Sequence, residues 1–593
     1  MKSLRHLNKY FLKYKWQLLL GVFFIIASNF FYIKMQTFLK DVIDTIISGN
    51  GKPFDVLGFN IVLDTSDAMM IAINIGVVYM SLILLKSIFL FFQRQTIIKV
   101  SRFIEFDLKN EIYQQYQRLG YGFYKRNSTG DLMNRISEDV SHVRMFLGPG
   151  IMYNINLVVV FALVVYEMLS INIWLTLIVL FPLPIMSYLI YKVSDKINKM
   201  SHLAQKDQSN LTTITQETFS GIRVVKAYGR ENEMNEQFID SSKKYKGKLM
   251  KLVLINALFT PTITSLIGLS TILAIYIGGL LSFTGEISFG EIVLFVSFIN
   301  ILTWPFASLG WLTSIIQRAV ASQERINEFL KEKPEIENNN QTPFTLKGKI
   351  EFRNVTFTYE GANHPAISNL SFIIESGDTA AFIGKTASGK STILKLLLRQ
   401  VEPQSGEILI DDIPLSQVNL DAFRDQLGIV PQEVFLFSDS IANNIRFGTN
   451  SLVSQDDIIQ VTEYAHVRHN IEEFEHGFET ILGERGVNLS GGQKQRVSIA
   501  RALIKKPKLL LLDDCLSAVD TETEEIILSH LKQDENVSTT IIVSHRISSL
   551  RNANKIIVID DGHKIEEGTH EELIDIDGIY NDMYLKQLAE ENI

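Results

Sequence analysis

Six long apolar runs dominate the first 330 positions: Leu18–Ile33, Met69–Phe92, Phe146–Tyr166, Trp174–Tyr191, Leu252–Phe283 and Ile292–Ile316. Most reach or approach the ~20 residues that carry a helix across the hydrocarbon core. They predict six membrane spans. Long polar stretches with heptad-like patterning and few Pro or Gly follow the second and fourth runs, at about 93–145 and 192–251. These predict helices that prolong the spans; two helices of ~20 residues would reach roughly 30 Å beyond the membrane. Lys331–Pro343 is polar and holds two prolines, which reads as a linker. Beyond it, short apolar strands alternate with helical stretches, as in an α/β domain. Lys349–Tyr359, Thr379–Gly384, Lys508–Asp513 and Thr540–Ser544 read as strands. The expected division is a transmembrane domain over 1–330, a linker over 331–345 and a second domain over 346–593.

Charge sets the orientation. Lys and Arg crowd the N-terminal segment and the two long loops, whereas the first short loop has only Lys40 and Lys52, and Glu167–Asn172 and Thr284–Glu291 have none. The basic side is cytoplasmic, so both termini are expected there. The first run lacks a small-residue cleavage site and reads as a retained span. Leu4, Leu7, Phe11 and Leu12, set among basic residues, read as a helix on the inner surface. Lys34 can snorkel, and Lys86 is expected to face the bundle interior or a wet cavity. The whole chain has 57 basic and 65 acidic residues, a net charge of −8, which argues against a nucleic-acid partner. Its single cysteine, Cys515, excludes a disulfide framework and a Cys-rich metal site.

The chemistry lies in the second domain. Gly384-Lys385-Thr386-Ala387-Ser388-Gly389-Lys390-Ser391 follows an apolar strand and precedes a helical run that begins at Thr392, the context a P-loop requires. Its glycines let the backbone close on phosphate oxygens, and the helix start supplies aligned N–H groups. Lys390 would reach the β- and γ-phosphates and Ser391 would ligate Mg²⁺. A chance match in a chain of this length has a probability of about 2%. Leu509–Leu512 is an apolar strand that ends in Asp513, a Walker B arrangement whose carboxylate holds Mg²⁺.

Leu489-Ser490-Gly491-Gly492-Gln493, between these two elements, resembles the signature of ATP-binding cassette (ABC) proteins. The resemblance covers the whole chain: six spans and a fused cassette look like an exporter half-transporter of the multidrug and lipid type. It implies an all-α six-span bundle with long cytoplasmic helical extensions, fused to an α/β P-loop NTPase domain with a helical subdomain. It also implies ATP and Mg²⁺ as cofactors. On the same resemblance, Tyr359 stacks on adenine, Gln432 is the Q-loop residue that senses Mg²⁺, and Gly483–Gly486 is the X-loop. Ser517–Asp520 is the D-loop, with Asp520 its acid, and His545 is the switch histidine at the γ-phosphate. Phe123-Tyr124, Gly130-Asp131, Arg135 and Asp139 resemble a first coupling helix. Glu217, Gly221–Lys226 and Glu231 resemble a second.

One position departs from the family. Glutamate usually follows the Walker B aspartate and polarises the attacking water; this chain has Asp514. With the backbone unchanged, its oxygen sits roughly 1.3–1.5 Å further back, and a misplacement of about 1 Å can cost on the order of 100-fold in rate. This resembles the subunit with the degenerate site in heterodimeric exporters. Its signature Leu489–Gln493 would complete the partner's ATP site in trans. A working homodimer with a tolerated substitution is the alternative. The expected partners are a second half-transporter, the lipid bilayer and a small amphipathic substrate.

Other classes fit less well. A cassette-gated channel is disfavoured because no long regulatory insert lies between the halves. The spans exclude a soluble cassette ATPase, and importers usually keep the two parts on separate chains. Phe23, Phe24, Phe30, Phe31, Phe91, Phe92, Phe295, Phe298, Trp304 and Phe306, with Asn29, Asn154, Asn156 and Asn300, are candidates for a substrate path or for plain packing. Glu167 could meet a cation or sit among headgroups.

Overall fold

The structure, a computed structural model, describes residues 2–48, 54–56, 59–61, 68–338, 340–533 and 537–591. Lys52 and Asn339, read above as parts of a loop and the linker, lie outside them. Contacts divide the chain into two compact units: Met1–Arg118 with Ser128–Glu332, and Leu119–Asn127 with Lys333–Ile593. The second unit therefore takes in a short piece of the first long loop.

Among the described residues, six helices of the first unit are long and apolar enough to cross a membrane: Lys15–Ile47, Met69–Arg118, Thr129–Ile171, Ile173–Ser220, Glu231–Phe283 and Phe289–Lys331. The second of these lies within a continuous helix of 51 residues, Ala68–Arg118. At 1.5 Å per residue that is roughly 75 Å, well beyond the ~30 Å hydrocarbon core. The third is wound more loosely at Arg135–Asp139 and at Phe146–Gly150, where Pro149 lacks the N–H that a regular turn needs. A small hairpin, β1 (Phe54–Val56) with β2 (Phe59–Ile61), joins the first two spans.

The bundle core has a helical period. Phe295, Phe298, Ile299 and Leu302 share one face of the last span and are fully buried against Val164, Met168, Leu175, Val179 and Met186. Phe295 and Phe298 are therefore packing residues and not walls of a path. Phe24, Phe31 and Phe92 gather around Phe89 and one another, and Trp304 packs on Tyr153 with ring centroids 5.1 Å apart. Several polar residues of the spans find partners on other spans, while Asn154 and Asn300 donate to their own helix backbone at Gly150 O and Val296 O. Asn29 Nδ2 donates to Asn156 Oδ1 at 2.9 Å. Lys34, on the first span, lies 3.7 Å from Glu167. The Lys86 ammonium sits 3.7 Å above the Tyr32 ring. Asp139 and Arg325 form an ion pair. Asp44 accepts from Ser288 Oγ at 2.6 Å and Gly290 N at 2.7 Å, tying the first span to the start of the sixth.

The N-terminal segment is helical, and its polar face is committed to the second span's extension. Lys9 and Tyr10 donate to Glu111 and Lys13 donates to Asp107, each at 2.6 Å.

The second unit contains two sheets. The first has β3 (Ile350–Phe357) between β4 (Ile367–Ile374) and β6 (Ser405–Ile410), with β7 (Ile413–Pro414) beside β6, all antiparallel. The other strands are β5 (Thr379–Ile383), β8 (Leu427–Val430), β9 (Leu509–Asp513), β10 (Thr539–Val543), β11 (Lys555–Asp560) and β12 (His563–Gly568), in the order β12-β11-β5-β10-β9-β8. From β11 to β8 this sheet is parallel. Its strands read as continuous apolar runs because they are covered on both faces. Leu510 and Leu512 enter one core, Leu509 and Leu511 the other. Helices Ile441–Arg446, Gln455–Tyr464 and Gly491–Leu503 pack together as a helical subdomain.

Candidate functional site

Strand order assembles the site. Val430, Leu512–Asp513, Val543 and Ile383 are the last residues of β8, β9, β10 and β5, four neighbouring parallel strands. The loops that leave these carboxyl ends carry Gln432, Asp514, His545 and the P-loop, as expected where ligands bind open α/β sheets.

Two P-loop glycines are obligatory. Gly384 (φ +156°) would drive a Cβ into the Ile559 carbonyl, and at Gly389 (φ +106°) a Cβ would lie 2.5 Å from the Ala366 carbonyl. Helix Lys390–Leu397 starts immediately after Gly389. The Lys390 ammonium donates to Gly384 O at 2.8 Å and Lys385 O at 2.7 Å, so it lies folded into its own loop. Burial lowers its pKa, and an anionic phosphate would offset that cost. Ser391 Oγ donates to Asp513 Oδ1 at 3.0 Å. Burial raises the Asp513 carboxyl, and the Ser391 hydrogen bond opposes the rise. A hydroxyl and a half-buried carboxylate side by side form a hard-oxygen pair suited to Mg²⁺.

Asp514 takes a left-handed backbone (φ +47°). Its N–H donates to Val543 O at 2.8 Å, which fixes it against β10. Gln432 Nε2 stands 3.5 Å from Asp514 Oδ2, and Asp514 Oδ1 is buried with no hydrogen-bond partner among the described residues. A buried orphan carboxylate oxygen is costly unless a ligand or water serves it. Burial and the nearby Lys390 charge push His545 below the ordinary histidine pKa, so its ring is neutral at pH 7. Tyr359 OH lies 3.2 Å from Thr392 Oγ1, joining the expected base-stacking ring to the P-loop helix. These features together make a cradle that fits a magnesium–nucleotide complex.

The signature occupies a helix N-terminus. Ser490 Oγ accepts from Gln493 N at 3.2 Å, and Gln493 Oε1 accepts from Ser490 N at 3.0 Å, a capping box that opens helix Gly491–Leu503. Gly492 is pressed against the D-loop, where a Cβ would stand 2.9 Å from Ala518 O. Asp520 Oδ1 accepts from Thr523 N at 2.9 Å, at the start of helix Thr521–Gln533.

Profile matches join these parts. Residues 18–306 match the ABC transporter transmembrane region, and residues 367–517 match the ABC transporter cassette. The chain is 38% identical over 485 residues to the multidrug resistance-like ATP-binding protein MdlA of Escherichia coli, covering 82% of each. The chain belongs to the ABC transporter family. It is also 34% identical over 495 residues to an ATP-dependent lipid A-core flippase of Aromatoleum aromaticum, covering 83% of this chain and 82% of the relative. Its fold matches a bacterial Atm1-family ABC exporter solved with ATP bound, at TM-score 0.77 and 23% identity over 96% of this chain and 99% of the other. This transporter is an exporter half, a multi-pass membrane protein with a cassette that binds and hydrolyses ATP, and such exporters work as dimers in a bilayer.

Sequence reasoning missed several supports of this site. Gln587, on the last helix, donates to His545 O at 2.6 Å and accepts from Ile547 N at 2.9 Å, clamping the histidine loop. Arg546 donates to Val519 O at 3.0 Å and Ser517 O at 2.8 Å, linking that loop to the D-loop. Ser549 donates to the buried Glu524. No local motif marks these residues; Arg546 alone had a signal, its place beside His545. Cys515 is buried, and burial pushes its thiol well above the ordinary range, in keeping with an inert packing role.

Proposed function

We propose that this chain is one half of a heterodimeric exporter of amphipathic small molecules, drugs or lipids, in the cytoplasmic membrane, with both termini on the cytoplasmic side. The names of the relatives support the substrate class: one is a multidrug resistance-like protein and another a lipid A-core flippase. The dense aromatic content of the spans is compatible with either.

In this reading the P-loop from Gly384 to Ser391, with Thr392, holds the phosphates of ATP, and Tyr359 stacks on the base. Ser391, Asp513 and Gln432 hold Mg²⁺, which neutralises phosphate charge. The signature from Leu489 to Gln493 serves the partner's nucleotide, and Asp520 acts across the same dimer interface. His545 contacts the γ-phosphate, and Asp514 is the base. The observation that carries the asymmetry is the Asp514 carboxylate. Its backbone N–H is bonded at 2.8 Å to Val543 O of β10, which opposes a main-chain shift that would recover the missing methylene. ATP at this P-loop is held and hydrolysed slowly, while the partner's site turns over.

The test is coexpression with the partner. Asp514→Asn should leave most ATPase activity, and the matching Glu→Gln in the partner should abolish it. Equal loss of ATPase activity from either change refutes the asymmetry. Asp514→Glu should speed turnover at this site by about 10- to 100-fold.

A further inference from the structure

The loop that carries His545 leaves β10 at Val543 and is anchored at three points. Two anchors are local. Ser544 N donates to Phe382 O of β5 at 3.2 Å, and Arg546 N donates to Ser544 Oγ at 3.0 Å. The third comes from the far end of the chain. The Gln587 side chain donates through Nε2 to His545 O at 2.6 Å and accepts through Oε1 from Ile547 N at 2.9 Å. A side-chain amide carries a donor and an acceptor in one plane, so it serves an O and an N–H two residues apart as a residue of a parallel strand would. Ile547 is buried, and a buried N–H left without a partner is costly.

The helix that presents Gln587 is itself firmly seated. Tyr580, Tyr584 and Gln587 follow at helical spacing on Ile579–Glu591, which puts them on one face. Tyr580 is fully buried in the cassette core, and Met583 and Tyr584 pack against the same cluster. Glu566, on β12, accepts from Ile579 N at 2.6 Å and Tyr580 N at 3.1 Å, closing the helix start. The Tyr580 hydroxyl lies 2.7 Å from His570 Nδ1. Core packing thus fixes the helix, and the helix fixes where the amide stands.

We propose that Gln587 is a positioning residue for hydrolysis: it holds the His545 main chain so that the ring meets the γ-phosphate, which makes the last helix part of the ATPase site. The inference rests on the reading above that His545 contacts that phosphate. A ring on an unbraced loop loses its aim, and a displacement of about 1 Å can cost on the order of 100-fold in rate. The P-loop holds the other phosphates, and both hydrogen bonds of the Gln587 amide go to the histidine loop. Nucleotide affinity and hydrolysis should therefore respond separately to its loss.

The experiment uses the full-length dimer in lipid nanodiscs with Mg²⁺. Where the partner is a different chain, its own P-loop lysine is replaced so that only this site is read. Gln587→Met keeps the length of the side chain and removes both hydrogen bonds. It should slow single-turnover hydrolysis of radiolabelled ATP about 10- to 30-fold. The Kd for ADP should stay unchanged, since ADP has no γ-phosphate for His545 to meet. Amide exchange at 545–547 should speed up while exchange at 384–392 holds. An unchanged rate of hydrolysis overturns the proposal, as does an equal loss of rate and of ADP affinity, the mark of a cassette loosened as a whole. Gln587→Asn, whose amide falls one methylene short, carries the same expectation and decides the matter should Gln587→Met not fold. Failure of the unaltered protein to bind ATP sinks the ATP reading itself, and undiminished hydrolysis by His545→Ala sinks the role given to that histidine; both are distinct results.

Discussion

The two long loops end in short helices of similar length but opposite circumstances. Tyr121–Arg126 lies in the cassette unit, with Phe123 only 5% exposed and Arg126 paired to two carboxylates. Ile222–Tyr228 stays with the membrane unit, closed by Gly229 in a left-handed turn. Several of its apolar residues are bare, Tyr228 at 78% and Val224 at 60% exposure, and so is Phe219 at the end of the preceding helix, at 71%. A cluster of large apolar side chains at the tip of a polar loop marks an interaction site. The first tip finds its surface on its own chain; the second needs one from elsewhere. The comparison teaches that one loop tip is covered within this chain while the other leaves its apolar side chains exposed.

The largest expected effect comes from the bare tip. Val224→Asp with Tyr228→Asp should cut ATP-driven dye efflux from vesicles by at least about 10-fold, since burying each of these side chains is worth roughly 1.5–3 kcal/mol. ATP binding should be retained. Full efflux would mean that the tip docks nowhere. A smaller effect is expected at the first tip. Its two ion pairs are partly exposed, worth about 0.2–1 kcal/mol each, so Arg126→Glu should speed amide exchange across 119–127 by about 3- to 10-fold and leave 221–229 untouched. The smallest effect is that of salt. Moving from 0.1 to 1 M shrinks the screening length from about 10 to 3 Å. Exchange at the first tip should rise about 2-fold, while an apolar contact at the second should hold or tighten. Parallel responses at both tips would erase the distinction drawn here.

Much of the membrane half was legible because a span must be long and apolar throughout, and all six runs fall inside observed helices. The helices overrun those runs because the extensions are polar and leave the hydropathy signal. The four cassette strands read from the sequence fall within about two residues of β3, β5, β9 and β10, Thr379–Ile383 and Leu509–Asp513 among them, while the other strands were not read in advance. A continuous apolar run between turn residues is what a doubly covered strand looks like. The P-loop pattern Gly384–Ser391 was legible for another reason: P-loop chemistry needs glycines, lysine and a hydroxyl at fixed spacing. Phe295 and Phe298 were not placed in advance, because an aromatic residue in a span has the same local signature whether it faces a path or a neighbouring helix.

The sequence by itself determined six apolar helices, a phosphate loop after a buried strand, and a carboxylate one methylene short beside Asp513. Each is written in a window of a few residues, where periodicity or spacing is the physical requirement. Tertiary structure alone decided that Lys34 meets Glu167, that Gln587 braces His545 and that Lys125 lies over Tyr359. Those pairs are far apart along the chain, and their partners are chosen by how helices and strands pack, which no local pattern of residues encodes.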